Sequence, residues 1–340
     1  MGNEYVWIEV PKTLYDNASY NTKTEEADKK PNRSEDYDKI EYCLQKYTST
    51  YRNGTSHKDE YDSKVVTEAT GLSSSEYIAL KQKMLKSVYE NGGFWIGRYE
   101  AGIGKNRTME DVETPIATDL KPTSKVDQYP LTWVTCSQAQ TLASRLSGSG
   151  YTSSLMFGVQ WDLVLKYLET KAVEKGIDQA AIQDDLNSNS ASWGNYFDST
   201  FTLNRGKYAI DVWDEENGPE IGYDTPFEWK NYNEDESIYN SVVSSEKKQV
   251  DNDNFGGIII TTGASDDTSK QNIYDLAGNV DEWTLEYTSD TSGPCVLRGG
   301  GYYDNGSDGP ACYRDYGLTT LSYSVLRFPS FTLLRRRPVF

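Results

Sequence analysis

The chain has 340 residues and carries 34 Lys and Arg against 52 Asp and Glu, a formal charge of -18, so its summed field repels phosphate backbones and anionic lipid headgroups. No stretch approaches the roughly 20 apolar residues of a bilayer span, and Met1-Gly2-Asn3-Glu4-Tyr5-Val6 lacks the basic and apolar regions of a signal peptide. The single histidine, His57, sits in the polar run Asn53 to Asp59 and reads as a solvated loop residue, which removes Ser-His-Asp, Cys-His and His-rich zinc chemistry. Cys43, Cys136, Cys295 and Cys312 stand far apart with no CxxC. With 26 Tyr the chain is too aromatic for disorder, and Tyr at that frequency suits a surface that binds, because its ring gives contact area at low entropy cost.

Val6 to Val10 reads as a first strand stopped by Pro11, and residues 12–34 read as a polar surface excursion. From Ser34, the positions Tyr37, Ile40, Leu44, Tyr47 and Tyr51 recur at helical spacing, and Ser75 marks a second helix that carries Tyr77, Leu80, Met84 and Val88 and closes at Asn91-Gly92-Gly93. Phe94 to Glu100 alternates like a strand, and a loop runs on to Pro130. Ser137 is expected to cap a short helix with Ala139, Leu142, Ala143 and Leu146 on one face, and a third long helix carries Trp161, Leu165 and Leu168. Residues 184–255 read as long connections with almost no periodicity, and Ile258 to Thr262 is the one clear buried strand after them. From Asn272 the sequence turns dense in Gly, Trp, Tyr and Arg, with short strands and no long helix. No internal repeat and no Pro/Gly linker divides the chain.

The segment Asn272-Ile273-Tyr274-Asp275-Leu276-Ala277-Gly278-Asn279-Val280-Asp281-Glu282-Trp283 and the following Leu297-Arg298-Gly299-Gly300-Gly301-Tyr302 resemble the two signature motifs of the formylglycine-generating-enzyme branch of the C-type-lectin fold. Phe94 to Glu100, Pro130-Leu131-Thr132-Trp133-Val134 and Phe157-Gly158-Val159-Gln160-Trp161-Asp162 are similar to that family's upstream landmarks, so the resemblance spans most of residues 92–340. On physical grounds both motifs read as scaffold. Gly278-Asn279 permits a turn with positive φ, Trp283 supplies a large apolar body, and Gly299-Gly300-Gly301 lets backbones approach, with Arg298 placed to bond carbonyls.

The resemblance does not extend to the oxidase chemistry. In the enzymes a cysteine pair binds copper after the Arg-Gly-Gly motif, and the matching positions here are Asp304 and Gly309; Cys312 alone cannot replace two thiolates. The related iron-dependent sulfoxide synthases need histidines that this chain lacks. The family's calcium site maps onto Asp275, Gly278, Val280 and Glu282, all able to offer hard oxygen ligands, so a structural calcium is the one cofactor implied. The alternative, that Asp275 and Glu282 cap the turn by hydrogen bonds, stays open, and a second family site maps weakly onto Asn195.

The chain also resembles the subset of this fold diversified by retroelements, whose C-terminal residues are rewritten through errors at adenines in AAY codons. Randomising such a codon can never yield Lys, Glu, Gln, Met or Trp, and none of the five occurs from Val296 to Phe340, although together they form about a fifth of the chain. The resemblance implies an outward ligand-binding set of Tyr303, Asp304, Asp308, Cys312, Asp315, Tyr316, Leu321, Tyr323, Val325 and Phe328, with Gly306-Ser307, Pro310-Ala311 and Arg314 as the fixed frame between them. Relatives end in Gly-Phe-Arg-Pro-Val-Leu, whereas this chain ends Arg335-Arg336-Arg337-Pro338-Val339-Phe340, a departure that bears on how the last strand docks.

Together these observations lead us to expect a single α+β domain: a loop-rich, C-type-lectin-like fold of the formylglycine-generating-enzyme (sulfatase-modifying factor) type with an N-terminal helical insertion. Residues 5–11 would form the first strand, 12–91 the insertion, 92–295 the scaffold and 296–340 the variable region. The expected role is non-enzymatic and adhesin-like, binding a protein or glycan target on another cell or particle, with no nucleic acid and no direct membrane contact. The expected location is extracellular, on a cell surface or virion, and Cys295 would pair with Cys312 if the protein is exported. The alternatives are an oxidase with a relocated metal site and a structural phage or surface subunit with a fixed partner.

Overall fold

The computed structural model describes residues 2–21, 37–52, 63–111, 116–211, 226–233, 257–288, 290–320, 326–327 and 332–334. The first strand, β1 (Tyr5–Glu9), ends where Pro11 removes the next backbone donor. A 3-10 turn follows, and its Leu14 and Tyr15 are buried, so the expected polar excursion first dips into the core. Among the described residues of the N-terminal region, the helices α1 (Ala18–Asn21), α2 (Tyr37–Tyr47), α3 (Ser49–Arg52), α4 (Ser63–Thr70) and α5 (Ser74–Asn91) follow. Ser73, not Ser75, caps α5: its hydroxyl accepts the Glu76 N–H while the Glu76 carboxylate accepts the Ser73 N–H, a reciprocal capping box. Gly92 ends the helix at φ +76, a conformation that costs a residue without Cβ little.

The strand β2 (Gly93–Gly97) pairs antiparallel with β1, Ile8 opposite Phe94. The short strands β3 (Gly102–Ile103) and β4 (Tyr129–Pro130) form a ribbon that leads to α6 (Cys136–Ser144). Thr135 rather than Ser137 caps α6, because the capping box needs the hydroxyl three residues before Gln138. Beyond β5 (Thr152–Ser154), α7 (Gly158–Glu174) is buried over its whole first two turns, charged Asp162 included, which marks it as the helix the fold is built around. The span 184–255, read as long connections, begins inside α8 (Gln179–Asn187), which is capped by Asp178, and includes β6 (Lys207–Asp211). Each carries only two buried apolar side chains, Ile182 and Leu186 in α8 and Tyr208 and Ala209 in β6, too few to show a period.

The remaining strands are β7 (Lys230–Asn231), β8 (Gly257–Ile260), β9 (Ser269–Lys270), β10 (Ile273–Tyr274), β11 (Asp281–Tyr287), β12 (Cys295–Arg298), β13 (Arg314–Gly317), β14 (Leu326–Arg327) and β15 (Thr332–Leu334). They assemble as β1-β2-β15-β5, as β13-β12-β11-β14 with β14 parallel to β11, as β7-β6-β8, and as the pair β9-β10. The final strand docks between β2 and β5, Leu333 lying between Trp95 and Ser153; the three arginines after it lie outside the described residues. The fold is therefore α+β, with small and mostly antiparallel sheets. Ile40, Leu44, Val66, Tyr77 and Val88 from the N-terminal helices share one core cluster with Trp161, Trp283 and Leu297, so these helices are part of the core.

Candidate binding face

The region that bears the expected contact set stands on a buried ionic cluster. Arg298 at the end of β12 and Arg314 at the start of β13 are opposite each other in the strand register. Arg298 donates to Asp162 at 2.6 Å and to Glu286 at 2.8 Å, and Arg314 donates to the same two carboxylates at 2.6 and 3.0 Å. Arg52 of α3 adds a third guanidinium on Asp162 at 2.8 Å, and Arg314 also reaches the Tyr51 carbonyl at 2.7 Å. Arg298, Asp162 and Glu286 are fully buried. Burial, followed by the neighbouring Arg314 charge, pulls the Arg298 pKa down, and the two carboxylates oppose that shift. Arg298 thus bonds carboxylates, not the carbonyls expected from sequence, and it lies over the Trp161 ring at 5.4 Å.

A second buried knot fixes the turn before β11. The Asn279 side-chain oxygen accepts from Asn195 at 2.9 Å and from the Ile260 N–H at 3.1 Å, and its amide donates to Glu100 at 3.1 Å. A Cβ on Gly278, at φ +70, would fall 2.3 Å from the Asn195 carbonyl oxygen, so only glycine lets these backbones meet. Asn195, Asn279 and Glu100 are each completely buried, so this junction is a buried polar network.

From Gly299 the chain leaves the sheet, loops and returns as β13. The frame positions are pinned. The Ala311 carbonyl accepts the Trp161 indole N–H at 2.9 Å, the Ala311 N–H donates to Ser190, and the Gly306 N–H donates to Asp198 at 2.8 Å. A Cβ on Gly306 would fall 2.3 Å from the Ala191 nitrogen. Gly306, Gly309, Pro310 and Ala311 are buried, whereas Ser307 is exposed. The two positions that match the copper thiols lie against each other, since a Cβ on Gly309 would fall 3.4 Å from that of Asp304.

The expected contact residues divide. Tyr316 at 59% exposed and Tyr303 at 39% reach solvent, as does Asp308. The Tyr303 ring edge is outside, but its hydroxyl turns in and donates to the buried Asp281 carboxylate. Asp304 is half-buried and accepts the Gly301 N–H at 2.9 Å, closing the turn under Tyr303. Asp315 is half-buried and accepts the Tyr316 N–H. Cys312 is half-buried against the core, its thiol directed at the Asn187 carbonyl, and so is a packing residue rather than an outward one. Leu321, Tyr323, Val325 and Phe328 lie outside the described residues, as does His57. Leu318, absent from the expected set, is 50% exposed beside Tyr316.

Burial and the neighbouring Asp304 charge hold the Asp281 carboxyl well above its ordinary pKa, against the Tyr303 hydroxyl bond that lowers it. Burial likewise pushes Asp304 up to about 6, opposed by the Gly301 N–H and helped by Asp315 and Asp308. Asp281, Asp162 and Glu286 are the residues that sequence reasoning missed. The available signal was that β11 carries three acids in a strand that is buried throughout, close to two arginines that need partners.

At the positions of the expected calcium set, Asp275 meets protein donors, as the turn-capping alternative expects. Both Asp275 oxygens are taken by protein donors, the Gly263 N–H at 2.7 Å and the Thr268 hydroxyl at 2.7 Å, and the Gly278 N–H donates to Gly299. Val280 is buried, and Glu282 is buried opposite Arg298 and Arg327 in the β11 registers. Among the described residues no group of three or more His, Cys, Asp or Glu side chains is gathered to hold a metal.

Fold and face define an α+β protein that carries an irregular surface with exposed aromatic and acidic side chains beside a buried sheet. No protein-family profile and no curated relative matches the chain. Among solved structures it is similar to Treponema denticola variable protein 1, with 18% sequence identity over 72% of this chain and 85% of that one and a TM-score of 0.26.

Proposed function

We propose that the chain is a non-enzymatic ligand-binding protein whose C-terminal face is diversified between copies of the gene and displayed outside the cell or on a particle. Within a C-type-lectin-like scaffold of the formylglycine-generating-enzyme type, it would work as an adhesin or receptor-binding module for a protein or glycan. The observation that carries this reading is the separation of frame from face. Of the six large apolar side chains exposed among the described residues, three (Tyr303, Tyr316 and Leu318) fall within residues 303–318, next to Gly306, Gly309, Ala311 and Arg314, which are locked into the interior. Exposed apolar side chains gathered in one place mark interaction surfaces. The same stretch lies inside the 45-residue tail that lacks the five residue types an AAY codon cannot become.

A rigid support beneath a replaceable surface predicts that the surface can be rewritten without unfolding the protein. Asp308, Asp315, Tyr316 and Leu318 are therefore randomised together, with Tyr303 kept for its bond to Asp281, and the library is displayed and sorted first for folding and then for binding to an unrelated test protein such as lysozyme. The reading expects a large share of variants to fold and binders to emerge. If nearly all variants fail to fold, these residues are structural and the face is not built to vary. An oxidase remains separable by experiment, since it would take up copper and consume oxygen with a cysteine-containing peptide.

A further inference from the structure

The binding face ends on the edge of a sheet. β13 is the last strand of the order β13-β12-β11-β14 and pairs on one side with β12. Antiparallel neighbours alternate between pairs that exchange both backbone bonds and pairs whose backbone groups point away from each other. Two bonds show which kind Tyr316 is. The Val296 carbonyl opposite it accepts the Thr284 hydroxyl of β11 at 3.2 Å, and so faces away from β13. The Tyr316 N–H donates at 2.8 Å to the carboxylate of the preceding Asp315 rather than to β12. The backbone of Tyr316 therefore points off the sheet, its donor plugged by a side chain of its own strand, and among the described residues its carbonyl has no partner beyond the sheet. Such an edge is a template for another strand. The same register sets Cys295 opposite Gly317 and leaves Cys312 beyond the Arg298 end of the ladder, more than about 10 Å away at about 3.3 Å per residue, so these two cysteines do not pair as the sequence suggested.

Charge says what fits the edge. The guanidinium groups of Arg52, Arg298 and Arg314 are turned inward onto Asp162 and Glu286. Asp315 accepts from the Tyr316 N–H and Asp308 from the Asn305 amide, and no basic side chain among the described residues pairs with either. The edge is thus negative, on a chain of formal charge -18, while Tyr316 and Leu318 add exposed apolar surface. Two copies paired edge to edge would bring their Asp315 carboxylates together, and like charges across a ladder repel. We propose that the β13 edge takes up an extended, lysine- or arginine-bearing segment of a partner protein as an added strand, which pairs with the backbone of Tyr316 and sets a basic side chain against Asp315. This rests on the reading of residues 303–318 as a binding face and specifies how that face holds its target. The incoming carbonyl takes the Tyr316 N–H from Asp315, and the freed carboxylate meets the cation. Main-chain pairing gives affinity whatever the sequence, so the varied side chains beside it set the choice of partner.

The test titrates the full chain with three labelled peptides, followed by fluorescence anisotropy: Thr-Lys-Val-Lys-Val-Lys-Thr, the same sequence with Glu for Lys, and the lysine peptide N-methylated at every interior residue, which keeps its charge and loses its backbone donors. The lysine peptide should bind saturably, and the other two should bind weaker by about tenfold or more. Hydrogen exchange of the Tyr316 amide should slow when the lysine peptide is added. Tyr316→Pro removes the outward N–H and no bond to β12, so the fold should hold, as proline is tolerated on an edge strand, while the lysine peptide weakens by about tenfold. Tyr316→Thr, which keeps the N–H, should lose less. Should Tyr316→Pro fail to fold, the N-methylated peptide on wild type makes the same comparison. Equal binding of the lysine and N-methylated peptides, equal binding of the lysine and glutamate peptides, no saturable binding of the lysine peptide, or a dimer whose Tyr316 amide is protected without peptide would each overturn the proposal. The library sort is independent: binders emerging there while the lysine peptide fails would overturn the added strand and leave the binding face standing.

Discussion

Arg298 and Arg314 stand opposite each other on adjacent strands and close on one carboxylate, that of Asp162, each at 2.6 Å. Like charges directly across a ladder repel, so this arrangement exists only because α7 brings an acid beneath both and Glu286 adds a second. The face is therefore supported by a contact between a helix and two strands that is remote from solvent. Asp162→Asn leaves three guanidinium groups, those of Arg52, Arg298 and Arg314, with one carboxylate, and should cost about 3–5 kcal/mol. Tyr316→Ala on the surface of the same strand should stay within about 0.5 kcal/mol of wild type. Urea unfolding midpoints of the two variants measure the contrast, and equal losses would mean the cluster is not the support.

Tyr303 is tied more firmly than its exposure suggests. Tyr303→Phe removes the donor on the buried Asp281 carboxylate and should destabilise by about 1–3 kcal/mol. Adding Asp281→Asn, which replaces the stranded, hard-to-ionise carboxyl with a neutral amide, should recover part of that loss. A double-mutant cycle by thermal melting reads the coupling, and strictly additive effects would show that the two side chains do not depend on each other.

Acidity should strengthen the fold over a limited range. Asp304, raised to about 6, and Asp281, raised well above its ordinary value, hold protons in the folded state that the unfolded chain releases. The sign follows: stability rises as pH falls from 7 through 6 towards the ordinary carboxylate value near 4. Below that range Glu169 and Asp266, both held under their ordinary values by ion pairs and hydrogen bonds, withdraw their contributions. Thermal melts at pH 7 and pH 5 should differ by a few degrees in favour of pH 5, and Asp304→Asn should narrow that difference. A wild-type melting temperature that falls from pH 7 to pH 5 would contradict the assignment.

Asp275 should matter without a metal. Its carboxylate holds the Gly263 N–H and the Thr268 hydroxyl, so Asp275→Ala should cost about 1–3 kcal/mol to the same extent in calcium and in chelator. A wild-type melting temperature that drops on chelation, with the drop abolished in Asp275→Ala, would restore the calcium site.

Much of the architecture was legible because it is local. Helices α2, α5 and α7 carry long apolar stripes, Gly92 ends α5 where a left-handed residue is needed, and Gly278 and Gly299 sit where backbones cross. What sequence could not show is which distant charges meet. Arg298 and Asp162 are far apart in the chain, and no spacing rule joins an acid on a helix to two arginines on strands. The same limit hid the inward turn of the Tyr303 hydroxyl and α8, whose two buried residues leave no stripe to read. The Cys312 position misled for a related reason: its neighbours in sequence are on the loop, but its neighbours in space are on α8.

The central claim is that a varied face rides on a fixed frame, and sequencing the 3′ end of the gene across a population of its host tests it most directly. Substitutions should pile onto the codons of Asp308, Asp315, Tyr316 and Leu318, and onto Tyr303 less often because of its bond to Asp281. The codons of Gly306, Gly309, Ala311 and Arg314 should stay fixed. A uniform sequence across independent strains, or changes spread evenly over frame and face, would contradict the account.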